Sequence, residues 1–430
     1  MNVSRRYLGD VFTIIVLVLA TGALQSLIVD SSSSKAVSEG NPFLQVVWAC
    51  IYVIVAIRAA QHWGAIMEAV RSNRLLIGLV LLAVFSTAWS ADPGLTLRRS
   101  AALLATTLFG VDFAVRYSIR DQLRLLAIAL GSVVLLSVVV QVFFPGQIPT
   151  VDMMYPDAWV GLFGQKNEFG RIVVLATLVT LTAVRKSVGG IILVVLALLA
   201  ALGVIIAAES MTSFVALTGM IVVMQFAPTL RWSPGIRRAV QVIGTVVAAP
   251  TLYALIHYRD AVTELMGRNA SLTGRVKIWT LSLASVALKP VLGYGYSAFW
   301  PASPEAMRID VAINWTVPHA HNAYIELALE LGLVGLGLYV AAYLLALKRA
   351  ATYLRTEGGN SSKWPLIYLC FVLLYSFTEN YVLAPNTIFW MLFVAAACTV
   401  SQPVAALELV DDDDDESESE SDSSPSFATS

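Results

Sequence analysis

Long apolar runs dominate this sequence and constrain its fold more than any other feature. Segments of about 17 to 25 residues, the length that a helix needs to cross roughly 30 Å of hydrocarbon, recur along most of the chain. Hydrophobic residues make up 57% of the 430 residues and charged residues only 13%, which excludes an ordinary soluble domain. Because a lipid-exposed backbone must satisfy its own hydrogen bonds, each run should be helical. The sequence therefore predicts an all-α integral membrane protein with about 12 transmembrane helices, at approximately 9–29, 43–60, 74–90, 98–115, 122–144, 168–184, 189–207, 211–227, 239–257, 322–346, 364–383 and 385–401.

The chain divides into one membrane domain and one tail. Residues 1–402 form the predicted polytopic domain, which includes a long periplasmic loop at 258–320 between the ninth and tenth predicted helices. Within this loop, the apolar stretch from Val276 to Leu288 is too short to span and predicts a helix that lies at the membrane interface. In residues 403–430 the acidic side chains repel one another, so we expect a disordered cytoplasmic tail.

Positive charge sets the predicted orientation. With both termini in the cytoplasm, most of the 28 Lys and Arg residues lie on the cytoplasmic side, as the positive-inside rule requires. Four cations depart from the rule because they border short outer loops, namely Arg98, Arg99, Lys166 and Arg171. Contact with lipid phosphates would scatter these side chains around the outer headgroup level. Binding of an anionic substrate would bring them together at one cavity, and the sequence alone leaves both interpretations open.

Two outer turns have the features of anion sites. In "STAWSADPGLTLRRS" an Asp-Pro-Gly turn precedes a helix, which puts Arg98 and Arg99 near the helix N-terminus, where cations oppose the macrodipole. A bound phosphate would relieve this conflict, because the exposed N–H groups there also favour anions. In "GLFGQKNEFGR" the residues Lys166, Asn167 and Arg171 lie within about two turns of a helix start. We expect all five residues to take part in anion binding.

Two further outer segments carry hydroxyl and aromatic groups. In "AESMTS", Ser210 and Thr212 are placed to cap the following helix, and helix capping is their principal predicted role. The segment "LKPVLGYGYSAFWP" contains Tyr294, Tyr296 and Trp300. An aromatic belt at the membrane interface explains such residues, and so does a surface that holds sugar rings. Both interpretations remain open at this stage.

The stretch "VPHAHNAYIELALELG" places titratable groups at the outer end of a hydrophobic helix. Asn322, Glu326 and Glu330 recur at every fourth position and therefore share one helix face. A carboxylate within lipid costs about 2 to 3 kcal/mol, so this face should point into the protein, toward the outer Arg and Lys residues. A histidine titrates near neutrality and suits general-base catalysis. A histidine of this turn, His319 or His321, is therefore a candidate general base that the helix face below would orient, and a role in capping the helix is the alternative.

The cysteines do not indicate a metal or a disulfide. Cys50, Cys370 and Cys398 all fall within predicted spans and lack the spacing of a zinc site. A disulfide framework and a zinc site are therefore not expected, and no organic cofactor is expected.

Taken together, five stretches resemble one family, the O-antigen ligase and Wzy-type polymerase superfamily. These bacterial inner-membrane glycosyltransferases have the C-type fold, and the matching stretches are "WSADPGLTLRRS", "FGQKNEFG", "LTGRVKIW" with "LGYGYSAFW", "HAHNAYIELALELG" and "FTENYVL". The resemblance implies transfer of a saccharide from an undecaprenyl-diphosphate carrier on the periplasmic side, without nucleotide sugar. It also implies that His321 is the essential histidine and Arg275 the loop arginine of the family. Met211 stands where ligases commonly have Arg, which favours the exopolysaccharide-production polymerases.

The expected function is metal-independent, inverting polymerisation of exopolysaccharide or O-antigen repeat units. His321 would activate the acceptor hydroxyl, and Arg275 would bind the diphosphate with the outer cations. An O-antigen ligase that transfers glycan to lipid A-core is the alternative within the family, and a polysaccharide or lipid transporter is the alternative from another class. The expected partners are the undecaprenyl-diphosphate-linked oligosaccharide and membrane lipid, together with assembly proteins such as a flippase or a chain-length regulator, and no nucleic acid.

Overall fold

The computed structural model describes residues 3–24, 41–146, 157–184, 187–232, 235 and 272–401. Within these ranges every regular element is a helix, as predicted, and no strand is present. The α-helices are α1 Val3–Ala20, α2 Pro42–Gln61, α3 Trp63–Ser72, α4 Arg74–Phe85, α5 Pro93–Arg116, α6 Ile119–Phe143, α7 Lys166–Ala183, α8 Val188–Ala207, α9 Met211–Phe226, α10 Leu272–Leu288, α11 Phe299–Ala302, α12 Pro304–Ile313, α13 Ala323–Thr356, α14 Trp364–Ser376 and α15 Ile388–Thr399.

Each predicted span that falls within the described residues overlaps a helix. Within the described ranges, five helices are long and apolar enough to cross a membrane: α2, α6, α8, α13, and α9 with its 3-10 extension to Arg231. A sixth span results if α3 and α4, which meet at a 93° bend, are taken as one broken span. The other helices are too short or carry charged residues near their starts. The count of about 12 spans stays a prediction, and the predicted span at 239–257 and the predicted tail at 403–430 lie outside the described residues.

Helix starts follow the capping residues in the sequence. Asp92 precedes α5 and its carboxylate accepts a hydrogen bond from the backbone N–H of Leu95, while Pro93 occupies the first helical position. Ser118, Ser187 and Ser210 begin α6, α8 and α9 in the same way, which bears out capping as the role of Ser210. These caps determine where the N-terminal ends of α5 and α9 lie.

Helix α5 lies at the centre of the bundle and packs against α15, α2, α4 and α3. Gly110 permits the closest approach, because a Cβ atom there would lie 2.7 Å from the carbonyl oxygen of Met391 on α15. Near the C-terminal end of α5, the buried carboxylate of Asp112 forms salt bridges with Arg58 at 3.1 Å and with Arg116 at 3.3 Å. Packing on several sides therefore fixes α5, whose first turns carry Arg98 and Arg99.

Helix α13 is a broken helix. Gly332 has φ 64° and ψ −166°, outside the helical region, and the loop 289–295 packs against this break. A Cβ atom on Gly332 would lie 2.1 Å from the carbonyl oxygen of Val291, so the close approach requires glycine. The loop replaces backbone hydrogen bonds lost at the break: the N–H of Leu333, for example, donates to the carbonyl of Pro290 at 2.8 Å. Broken membrane helices of this kind are typical of binding sites.

The same loop joins three of the sequence motifs. The Trp89 indole donates to the carbonyl of Leu292 at 3.0 Å, and the N–H of Tyr296 donates to Ser86 Oγ at 2.9 Å. The Tyr296 hydroxyl donates to the carbonyl of Leu383. Motifs far apart in sequence therefore meet at the end of the bundle that carries the starts of α5 and α13.

Candidate functional site

The site is built on the turn before α13, residues 319–322. Asn322 is the N-cap of α13, because its side-chain oxygen accepts hydrogen bonds from the backbone N–H groups of Tyr324 and Ile325. Its side-chain amide donates to the carbonyl of Phe377 at 3.4 Å. His321 has φ 51°, a left-handed conformation that is uncommon outside glycine and clusters at functional sites.

Ala320 is held from both sides, and this fixes the two flanking histidines. Its N–H donates to Oε2 of Glu326 at 2.7 Å, and its carbonyl accepts from the indole of Trp279 at 2.9 Å. The indole of Trp300 donates to the Glu326 carboxylate at 2.9 Å. Glu326 thus points inward as predicted, but it binds backbone and indole N–H groups instead of an Arg or Lys side chain. The reason is that the turn presents its own N–H group directly beside the carboxylate.

Glu330 lies one turn deeper in α13 and does face a cation. Its side chain is buried and interacts electrostatically with Arg99 on α5. The Arg99 guanidinium also donates to Ser297 Oγ at 2.6 Å. The two acidic residues of the predicted face therefore differ in partner, although both point into the protein.

Glu379 completes the histidine site, and the motif analysis does not single it out. Its Oε1 lies 3.7 Å from Nη2 of Arg275, and its Oε2 lies 3.9 Å from Nδ1 of His321. The predicted span 364–383 places this residue in a helix, whereas α14 ends at Ser376 and Glu379 lies in the following turn. The available signal was an acidic residue within the otherwise apolar and aromatic stretch "FTENYVL".

Charge keeps Glu379 ionised. Burial by itself would raise the pKa of Glu379, but the neighbouring His321 and the charge of Arg171 lower the pKa to about 2. The carboxylate is therefore negative at neutral pH and is available to stabilise a positive imidazole.

The two histidines are not equivalent. Their ring centroids are 4.1 Å apart, and Nδ1 of His319 accepts a hydrogen bond from the backbone N–H of His321 at 3.1 Å. Burial, followed by the charges of His321 and nearby arginines, lowers the pKa of His319 to about 4. His319 is consequently a poor proton acceptor at neutral pH. Nδ1 of His321 instead faces the Glu379 carboxylate at 3.9 Å, and this arrangement makes His321 the candidate base through its other ring nitrogen, Nε2.

Arg171 presents unused hydrogen-bond donors. The residue is 3% exposed, and its Cζ lies 4.0 Å from the ring centroid of Tyr381 and 5.0 Å from that of Phe389. No described residue accepts a hydrogen bond from its Nε or Nη1. A buried guanidinium with free N–H groups is costly, so these donors favour an anionic ligand.

A cavity of about 470 Å³ brings together three of the predicted cations, Arg98, Arg99 and Arg171. It lies between the C-terminal end of α1, the N-terminal halves of α2, α5 and α7, and the segment before α15. Glu168 also lines it, and the sequence motifs do not single this residue out. The α2 wall contributes Leu44 and Trp48, so the cavity has one cationic and one partly apolar side. Binding of an anionic substrate predicts that these arginines meet at one cavity, whereas contact with lipid phosphates predicts that they are scattered.

Other predicted site residues do not line this cavity. Lys166 is buried at the start of α7, and Asn167 accepts a hydrogen bond from the Ser210 hydroxyl at 3.0 Å. Thr212 is partly buried in the first turn of α9 and is not its cap. The bond between Asn167 and Ser210 joins the first turn of α7 to the N-cap of α9.

The predicted sugar-binding aromatics are buried inside the protein. Tyr294 and Tyr296 are 1% and 2% exposed, and the Tyr294 hydroxyl donates to the carbonyl of Ser285 at 3.0 Å. Trp300 is only partly buried, but its indole N–H is used by Glu326. The expectation that the two tyrosine rings contact sugar is not supported, because both rings are buried and both hydroxyl groups donate to backbone carbonyls.

Three potential metal ligands also meet here. The ligand atoms of His319, His321 and Glu379 lie within 4.8 Å of one another. Arg275 lies 3.7 Å from the same carboxylate, and Arg171 adds a second positive charge to its surroundings. Because guanidinium groups repel cations and attract anions, the charge of the site fits a diphosphate better than a metal ion.

The chain is similar to proteins of polysaccharide assembly. Residues 172–340 match the family model described as O-Antigen ligase. This matched range includes Arg275, His321 and the break in α13. The chain is 25% identical over 358 residues to the exopolysaccharide production protein ExoQ of Rhizobium meliloti (strain 1021), covering 78% of this chain and 79% of that protein. It is 27% identical over 146 residues to a putative polysaccharide ligase of Rickettsia felis, covering 32% and 33% of the two chains.

These similarities agree with the helical architecture and with the motifs that meet at the site. The chain is thus a multi-pass membrane protein that is similar to O-antigen ligases over residues 172–340, and its resemblance to the O-antigen ligase and Wzy-type polymerase superfamily is confirmed.

Proposed function

We propose that this chain is a glycosyltransferase that polymerises exopolysaccharide or O-antigen repeat units from undecaprenyl-diphosphate-linked donors. The proposal rests on one observation: His321, Arg275 and Glu379 meet close to a buried arginine, Arg171, that also lines the cationic cavity. Glycosyl transfer from a lipid diphosphate requires a base for the acceptor hydroxyl and fixed positive charge for the leaving group. Both requirements coincide here.

The cavity provides for the donor. The free Nε and Nη1 donors of Arg171 suit diphosphate oxygens, and a guanidinium binds such oxygens through two parallel hydrogen bonds. Arg98 and Arg99 add positive charge at the same cavity. The apolar side chains of α1 and α2 would contact the first isoprene units of the carrier. A lipid diphosphate therefore fits the cavity, because its diphosphate suits the cationic side and its isoprenoid chain suits the apolar side.

The reaction would be a single inverting displacement. The acceptor hydroxyl oxygen attacks the anomeric carbon of the donor while Nε2 of His321 takes the hydroxyl proton. The bond between that carbon and the diphosphate oxygen breaks, and undecaprenyl diphosphate leaves with the electron pair. Arg275 and Arg171 stabilise the charge on this leaving group, and Glu379 stabilises the imidazolium 3.9 Å away.

We place the site on the periplasmic side of the bacterial inner membrane, with both termini in the cytoplasm. The distribution of Lys and Arg along the sequence supports this orientation. The exopolysaccharide relative, which matches along most of both chains, favours a polymerase. A ligase that transfers glycan to lipid A-core is the second candidate, because the family model is described as O-Antigen ligase and the Rickettsia felis relative as a putative polysaccharide ligase.

The test is turnover of the full-length protein in liposomes, with the undecaprenyl-diphosphate-linked repeat unit as the only substrate. Wild type should produce a ladder of longer lipid-linked glycans. His321→Ala should reduce this by at least about 100-fold, because a positioned base contributes about 10² to 10⁴ to the rate. Arg308→Lys, which changes an exposed residue of α12, is the matched control and should leave the ladder intact.

The outcomes separate the candidates. A ladder from His321→Ala at the wild-type rate would refute the base assignment. No ladder, but glycan transfer after addition of lipid A-core, would identify a ligase. Absence of glycan transfer under both conditions would contradict the enzyme proposal and favour a polysaccharide or lipid transporter.

A further inference from the structure

Trp315 is an exposed aromatic residue beside the proposed base. It is 51% exposed, and its ring lies nearly parallel to that of His321, with an interplanar angle of 19° and a centroid distance of 6.4 Å. The sequence motifs do not include it. Its indole is therefore open to solvent and lies 6.4 Å from the imidazole of His321, the proposed proton acceptor.

The end of α12 holds this indole in place. Asn314 adopts the left-handed conformation, with φ 59° and ψ 36°, and the N–H of Trp315 donates to the carbonyl of Asp310 at 3.2 Å. These are the features of a Schellman helix end. The carboxylate of Asp310 also accepts from the N–H of Val317 at 2.8 Å, which fixes the chain on the far side of the indole. A hydrogen-bonded turn thus carries Trp315 toward His321.

We propose that Trp315 is the stacking platform for a pyranose ring of the acceptor saccharide. The face of an aromatic ring is electronegative, and the C–H groups on one side of a pyranose carry partial positive charge, so the two faces attract each other. A sugar on the exposed face of the indole has a hydroxyl beside the His321 ring. The inference rests on the proposed function, since it takes His321 as the base.

A membrane anchor is the competing explanation for an exposed Trp. Met307 and Val311, on α12, are 70% and 78% exposed and could contact lipid. The Schellman turn, however, ends the helix before Trp315, and the indole stacks along His321. This geometry favours sugar binding, and substitutions at Met307 and Val311 provide the matched controls.

The experiment measures binding without turnover. The probe is the free repeat-unit oligosaccharide, released by mild acid from the lipid-linked repeat unit, and it is titrated calorimetrically into full-length protein in nanodiscs. Trp315→Ala should raise the Kd about tenfold, and Trp315→Phe, which keeps a flat aromatic face, should stay within about threefold of wild type. Val311→Ala and Met307→Ala should match wild type. Sugar-free undecaprenyl diphosphate should bind equally to wild type and Trp315→Ala.

An unchanged oligosaccharide Kd in Trp315→Ala would overturn the inference, and so would a wild-type protein that binds no oligosaccharide. Equal weakening in Val311→Ala and Met307→Ala would identify a membrane anchor instead. Failure of the proposed function appears separately, as absence of chain elongation by wild type in liposomes. If sugar binding depends on Trp315 but no elongation occurs, the role of Trp315 in sugar binding is supported and the polymerase proposal is contradicted.

Discussion

Replacing Glu379 with Gln tests the electrostatic core of the site. The substitution keeps the shape of the side chain but removes the negative charge that faces both His321 and Arg275. During transfer His321 becomes positive as it takes the hydroxyl proton. The charge of Glu379 therefore acts mainly in the transition state, and its loss should lower kcat more than substrate binding.

The structure sets the size of this effect. Two opposite unit charges 3.9 Å apart attract by about 4 kcal/mol at an effective dielectric constant of about 20. The side chains of His321 and Glu379 are only 15% and 12% exposed, so water screens them little. Arg275 shares the carboxylate and competes for its charge. We therefore expect kcat to fall about 100-fold, which corresponds to about 3 kcal/mol in the barrier.

The assay is the rate of glycan chain elongation in liposomes, together with a thermal melt of each variant in detergent. Glu68→Gln, at an exposed position of α3, is the control and should behave as wild type. If Glu379→Gln folds normally and elongates within about threefold of the wild-type rate, while elongation still requires His321, the charge of Glu379 has no catalytic role.

Three further predictions concern Arg275, the dependence of elongation on divalent metal ions, and the break in α13. Arg275→Lys should lose most turnover, because a point charge does not reproduce a guanidinium fork on diphosphate; turnover equal to that of the Arg308→Lys control would reduce Arg275 to a general electrostatic contributor. Treatment of purified protein with EDTA should leave elongation unchanged, and a loss that added divalent ions restore would contradict the cation-only mechanism. Gly332→Ala should lower the free energy of unfolding by at least about 1 to 3 kcal/mol, because it adds a Cβ against Val291 in a glycine-only conformation. Gly337→Ala meets nothing within 4 Å and should be neutral or slightly stabilising in the same melt.

The positions of helices were largely predictable because hydrophobicity is a local property. The predicted spans 43–60 and 189–207 match α2 and α8 within a few residues. Errors arise where tertiary contacts replace helical ones. Helix α14 ends at Ser376, earlier than hydrophobicity suggests, and this frees Glu379 from the helix.

The candidate site was predictable in part. The motifs drew attention to His321, Arg275, Arg98, Arg99 and Arg171, since charged groups beside long apolar runs are unusual. They did not reveal Glu379 or Trp315, because one belongs to a short polar interruption and the other to an ordinary helix end. Burial was equally invisible in the sequence, which is why Tyr294 and Tyr296 look like a sugar-binding surface.

The helical membrane architecture, the helix starts and the motifs shared with a polysaccharide-assembly family could all be read from the sequence. Those features depend on composition, on capping residues and on spacing along the chain, which no tertiary contact needs to supply. Which groups meet at the site depends instead on tertiary contacts. His321 and Glu379 are far apart in sequence and become partners because α14 ends early and the turn before α13 is held by Glu326 and Trp279. The free hydrogen-bond donors of Arg171 likewise depend on packing, because burial removes water from a guanidinium that no described residue satisfies.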